Sequence, residues 1–262
     1  MREAAPLYAR LQARAREIAR GMPPPAFYRD KAEAVGRSHA VFESAPLVRS
    51  VRQELGEILD EGYGHGMRHA SQVALDAGAL VWVEGSKAGI EEAALLRRVE
   101  IAHLAGLLHD ILRREDRHAE RGADLAAGLL SGRSLQVEEI EDIRLAIRNH
   151  EAFRPVVAVD TQEGALLSDC LYDADKFRWG PDNFTDTLWE MVAAAGLTPE
   201  ALLARWPLGI DSLARIRDTF RTPTGRRYGP QFIDHGIAIG NTLFRLLAKE
   251  VRRCRGGSPA KR

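Results

Sequence analysis

The sequence has little of what covalent cross-links, membrane spans or nucleic-acid surfaces require. Its two cysteines, Cys170 and Cys254, lie far apart without a C-x-x-C spacing, so neither a disulfide framework nor a thiolate zinc site is expected. No apolar run approaches the roughly 18 residues that a membrane span needs. Lys plus Arg equal Asp plus Glu at 37 each, so the chain carries no overall field of either sign. We therefore expect neither a membrane nor a nucleic acid as a partner.

The beginning of the chain and its cysteine usage bear on where the protein works. Residues 1–6 lack the apolar segment of a secretion signal. The scarcity of cysteine fits a reducing compartment. We therefore expect a cytoplasmic location.

Strand patterns are almost absent, because apolar and polar residues seldom alternate, whereas apolar residues recur at helical spacing along most of the chain. We therefore predict an all-α fold. The segment after Pro25, up to about Ser44, is predicted to be a polar connection, and residues 221–230 a basic loop. A break is predicted at Trp206-Pro207 because proline interrupts helices. The predicted helices are 7–20, 46–59, 67–83, 90–112, 118–131, 137–150, 164–176, a short one through 188–192, 198–220 and 232–251.

The segment around which these helices are expected to assemble is His109-Asp110, inside the apolar run 101–112. Burying an unpaired carboxylate costs several kcal/mol, roughly 2–7 even for an uncharged polar group, so Asp110 must be paired, hydrogen-bonded or metal-bound. Imidazole nitrogen and carboxylate oxygen are typical ligands of a divalent transition metal. The pair therefore favours a metal site, and a hydrogen-bonded pair without metal is the simpler alternative.

The order of these residues along the chain resembles a known family. His65 with Arg68, then His109-Asp110, then His150, then the run from Asp173 to Lys176 are similar to the H…HD…D pattern of the HD-domain superfamily of metal-dependent phosphohydrolases. The resemblance covers roughly residues 45–195. It implies an all-α HD-domain helical bundle over 45–195, with an N-terminal helical extension (1–44) and a C-terminal helical extension that packs on it (196–262).

The resemblance also implies a set of metal ligands. His65, His109, Asp110 and Asp175 would hold one divalent transition metal, which could be manganese, iron, cobalt, nickel or zinc. Some members hold two ions, and His118 and His150 stand where the further ligands of such members are expected. Asp110 would then bridge the two ions. One ion is predicted, and a second is left open.

The activity implied is hydrolysis of a nucleotide or other small phosphate ester by a hydroxide on the metal, with Asp110 orienting or deprotonating it. Arg113 and, less directly, Lys176 would stabilise charge on the phosphoryl oxygens. A glycine and a lysine that many two-metal members carry after the doublet are missing here, and Arg113 stands in the lysine's place. A guanidinium there could grip a phosphate bidentately.

Some assignments remain open in the sequence. His69 shares a helix face with His65 but is expected to be a packed or solvent-facing imidazole, and Asp173 is expected to orient a histidine ligand. A non-catalytic nucleotide- or metal-binding regulatory module and a di-iron oxygenase on the same fold are the alternative functions. A homodimer is also left open.

Overall fold

A computed structural model of the chain describes residues 5–58 and 66–256, with the side chains of 57, 58, 255 and 256 left out. Within these ranges the protein is entirely helical, without a strand, as the sequence predicts. None of the described helices combines the length and the apolar character needed to cross a bilayer. The α-helices are α1 Ala5–Gly21, α2 Ala26–Asp30, α3 Ala32–Ser44, α4 Pro46–Ile58, α5 Met67–Lys87, α6 Glu92–Leu108, α7 His118–Leu130, α8 Val137–Arg148, α9 Gln162–Phe177, α10 Leu188–Ala194, α11 Pro199–Ile216 and α12 Pro223–Gly256, and a π-helical turn, Asn183–Thr187, precedes α10.

The centre of the bundle is the pair α5 and α6, with α9 packed beside them. Most of α5 from His69 to Gly85 is buried, as is α6 from Ile101 onward. The two helices approach very closely where Gly106 faces Ala74, because a Cβ on Gly106 would lie only 2.4 Å from the Ala74 Cα. This close approach fixes the spacing between the start of α5 and the end of α6.

Local signals in the sequence account for several helix ends. Thr198 accepts a hydrogen bond from the Ala201 N–H at 3.2 Å, and Pro199 is the first helical residue of α11. Gln136 and Glu139 form a capping box at the start of α8. These signals are independent of tertiary contacts, which is why the sequence locates these ends well.

Four helix predictions were wrong. The connection up to Ser44 is the helix pair α2 and α3, and α3 packs against α5. The central helix ends at Leu108 and starts at Glu92, so His109-Asp110 lies in the turn after α6 rather than inside a helix.

The other two concern proline. Helix α11 continues through Pro207, which is exposed, although proline removes one hydrogen bond of the helix. Helix α12 begins at Pro223 rather than Phe232 and contains Pro230. The first turn of α12 is held from outside, because the Asp173 carboxylate accepts hydrogen bonds from the Arg221 and Thr222 N–H groups and from the Thr222 hydroxyl.

Candidate metal centre

Helix ends converge on one buried cluster of histidine and aspartate. The start of α5 supplies His69, the turn after α6 supplies His109 and Asp110, and the start of α7 supplies His118. The turn after α8 supplies His150, and the last turn of α9 supplies Asp175 with Lys176. All of these residues are buried except His118, which is half-buried.

His109 is oriented by the backbone. Its Nδ1 lies 2.7 Å from the carbonyl oxygen of Gly106, which can only accept, so Nδ1–H is the donor. In the neutral imidazole the Nε2 lone pair therefore points away from the helix. It faces His69 Nε2 at 3.3 Å, Asp110 Oδ2 at 3.4 Å and Asp175 Oδ1 at 3.8 Å.

The first set of ligand atoms therefore comes from His69, His109, Asp110 and Asp175. His69 Nε2 also lies 3.5 Å from Asp175 Oδ1. The other oxygen of Asp175 accepts a hydrogen bond from the Lys176 ammonium, so Oδ1 is left facing the two imidazoles. Lone pairs from two imidazoles and two carboxylates thus meet at one point, an arrangement that a divalent cation suits.

The pKa shifts of His109 and Asp175 indicate that positive charge is favoured within this first set of ligand atoms. Burial by itself lowers the pKa of His109, but Asp110 and Asp175 outweigh it and raise this pKa above its usual value. Burial by itself raises the pKa of Asp175, but Lys176, His69 and His109 hold it well below its usual range. A carboxylate that stays ionised in the interior needs a cation beside it, and the donor set of imidazoles and carboxylates fits a metal ion.

A second set shares Asp110. Its Oδ1 lies 3.5 Å from His118 Nε2 and 3.3 Å from His150 Nε2. His150 is oriented as His109 is, because its Nδ1 lies 2.6 Å from the Ile147 carbonyl. Mainly through burial, with Arg113 and His150 adding to it, the pKa of His118 falls to about 4, although Asp110 acts in the opposite direction. Both sets contain ligand atoms close enough together to hold an ion.

The predicted ligands are thus placed as follows. The structure brings His109, Asp110, His118, His150 and Asp175 together. His65 lies outside the described residues, so its assignment stays a prediction.

His69 is the residue that sequence reasoning missed. It precedes the buried Val73 and Leu80 by one and three helical turns, so the apolar stripe of α5 already placed it toward the core.

The other predicted polar residues have different surroundings from those expected. Asp173 accepts hydrogen bonds at the start of α12, and these hold Arg221 and Thr222 rather than a histidine of the described residues. Because His65 lies outside those residues, the expectation that Asp173 orients a histidine ligand stays a prediction. Lys176 is buried against Asp175 and above the rings of Tyr172 and Trp179. Its ammonium therefore serves first to position Asp175.

A cavity of about 430 Å³ opens onto the cluster. Its lining includes Asp110, Arg113 and Lys176 together with aromatic and aliphatic side chains. Arg178 also borders it, but this guanidinium is held by Asp76 and Asp182. The apolar lining residues are Ala152, Phe153, Trp179, Leu188, Met191 and Leu213.

Comparison of the chain with protein-family models, with curated proteins and with solved structures gives no match. The residues and geometry of the cluster are therefore what indicates a function for this protein.

Proposed function

We propose that this protein is a metal-dependent phosphohydrolase of the HD-domain type, acting on a nucleotide or another small phosphate ester. The observation that carries the proposal is the convergence of His69, His109, Asp110 and Asp175 on one buried point beside a cavity. Those four residues would hold the ion. A divalent ion at such a point lowers the pKa of a bound water and polarises a phosphoryl oxygen.

The side chains around the cluster suit the remaining tasks of phosphoester hydrolysis. Asp110 has one oxygen toward His109 and the other toward His118 and His150. It can therefore orient an attacking water and accept its proton at Oδ1 while Oδ2 stays with the first set. Lys176 keeps Asp175 ionised and in place.

Arg113 supplies a cation on the cavity side. Its side chain is about one-third exposed and borders the cavity next to Asp110. A guanidinium offers parallel N–H donors to phosphate oxygens, which is the arrangement that stabilises charge developing in phosphoryl transfer.

The cavity supports a small substrate rather than a polymer. Its volume of about 430 Å³ lies within the roughly 300–1,000 Å³ of small-molecule sites. The cationic and metal-binding residues of the lining would receive the phosphate, and its apolar residues, such as Phe153 and Trp179, would receive the organic group. A nucleotide has both parts.

The proposal is tested with anaerobically purified protein. We expect elemental analysis to find a bound transition metal, and a screen of phosphate esters and nucleotides with that metal to find hydrolysis. The Asp110→Ala variant should lose both metal and hydrolysis, whereas Asp218→Ala, at a side chain that is 81% exposed, should lose neither.

Hydrolysis retained by Asp110→Ala would refute the proposed mechanism. Metal binding with nucleotide binding but no turnover would indicate a regulatory module. Iron-dependent oxygen uptake without phosphatase activity would indicate an oxygenase.

A further inference from the structure

A fixed positive charge, the guanidinium of Arg113, lies next to the second set of potential ligands. This set is Asp110 Oδ1 with His118 and His150. Arg113 Nη1 lies 2.8 Å from His118 Nε2 and 3.8 Å from Asp110 Oδ1. Arginine stays protonated in proteins. The guanidinium thus lies beside the same two atoms, themselves 3.5 Å apart, that a second metal ion would have to join.

The direction of the hydrogen bond excludes His118 as a ligand while Arg113 stays in this position. A guanidinium N–H can only donate, so His118 Nε2 accepts and its lone pair is occupied. The other ring nitrogen, Nδ1, then carries the hydrogen and faces Glu151 Oε1 at 3.8 Å. The tautomer that serves Arg113 is therefore the one that Glu151 favours.

The charges of the cluster also disfavour a second metal ion. Among the described residues, Asp110 and Asp175 are opposed by Lys176 and Arg113, each within 4 Å of one of the carboxylates. One divalent ion therefore already makes the interior of the cluster positive, and it stays positive when Glu151, 30% exposed at its edge, is counted. A second ion would add two further charges directly beside a guanidinium, where repulsion is strong.

From this geometry we infer that the centre holds a single metal ion and that the Arg113 guanidinium occupies the position of a second ion. The inference rests on the proposed metal site, but not on the reaction. Arg113 retains positive charge at that position and, unlike an ion, presents N–H donors for phosphate oxygens.

The experiment counts ions in three variants. The purified protein is saturated with Mn²⁺, excess ion is removed, and bound Mn²⁺ per chain is measured by elemental analysis, with electron paramagnetic resonance detecting exchange coupling between neighbouring ions. Arg113→Gln removes the charge, Arg113→Lys keeps it, and Arg121→Gln is a matched control at a side chain that is 58% exposed. Circular dichroism checks that each variant is folded.

We expect one ion per chain and no exchange coupling in the wild type, in Arg113→Lys and in Arg121→Gln. In Arg113→Gln the count should rise from one to two, with exchange coupling, because His118 and Asp110 Oδ1 become available together. Two ions in the wild type, or one ion in a folded Arg113→Gln, would overturn the inference and leave the proposed hydrolase standing. No bound ion in the wild type would instead overturn the metal site, and the proposed function with it.

Discussion

Replacing Gly106 by alanine should disturb both the core and the candidate metal centre. The new Cβ would lie 2.4 Å from the Ala74 Cα and 2.6 Å from its nitrogen. Ordinary contacts begin near 3.4 Å, so α5 and α6 must separate by about 1 Å, since neither contact is to a flexible side chain. Overpacking of this kind lowers the free energy of unfolding by about 1–3 kcal/mol. The higher helix propensity of alanine than of glycine offsets about 1 kcal/mol of this loss.

The same displacement acts on the ligands. His69 is on α5, and His109 follows α6 and is oriented by the Gly106 carbonyl. Metal ligands must keep their distances within about 0.2 Å, and loss of a supporting contact costs roughly 10–100-fold in affinity. We therefore expect Gly106→Ala to be destabilised by up to about 2 kcal/mol and to bind metal at least about tenfold more weakly.

The matched control is Gly36→Ala in α3, where glycine is exposed and no atom lies within 4 Å of the added Cβ. This variant should be about 1 kcal/mol more stable than the wild type, with unchanged metal affinity. The free energy of unfolding is measured by guanidinium denaturation of chelator-treated protein, and affinity by calorimetry. If Gly106→Ala matched Gly36→Ala in both measurements, the argument that α5 and α6 are in direct backbone contact would be wrong.

Two further predictions concern histidines. His69→Ala should abolish metal binding, whereas His39→Ala, at an exposed position, should not alter it. Bound metal is measured by elemental analysis, and a full complement of metal in His69→Ala would show that His69 is not a ligand. Burial beside Ser38 lowers the pKa of His103 to about 3 from 6.5. The stability that the folded protein gains from keeping His103 neutral is therefore complete above about pH 6.5 and is lost as the pH falls toward 3. Between pH 6.5 and 4.5 the wild type should lose about 2 kcal/mol more stability than His103→Leu. Denaturation measured across this pH range tests this, and parallel curves for the two proteins would contradict a neutral His103.

Helix content was accessible from the sequence because it depends on neighbouring residues. Apolar spacing and local caps predicted all-α architecture and the start of α11 at Pro199. The two prolines inside α11 and α12 were misjudged for a physical reason. A proline costs a helix one hydrogen bond and introduces a local clash, and contacts from elsewhere, such as Asp173 at the start of α12, can offset that cost.

Only the tertiary structure decided which polar residues meet. The sequence marked His109-Asp110 by its apolar surroundings, but nothing local separated His69, at the cluster, from His103, which bonds Ser38 in the core. Arg113 was predicted to be a phosphate-binding cation, and its position against His118 follows from where α7 begins. Helical periodicity fixes which face a side chain is on, whereas the partner on that face depends on how distant helices pack, as Gly106 against Ala74 does here.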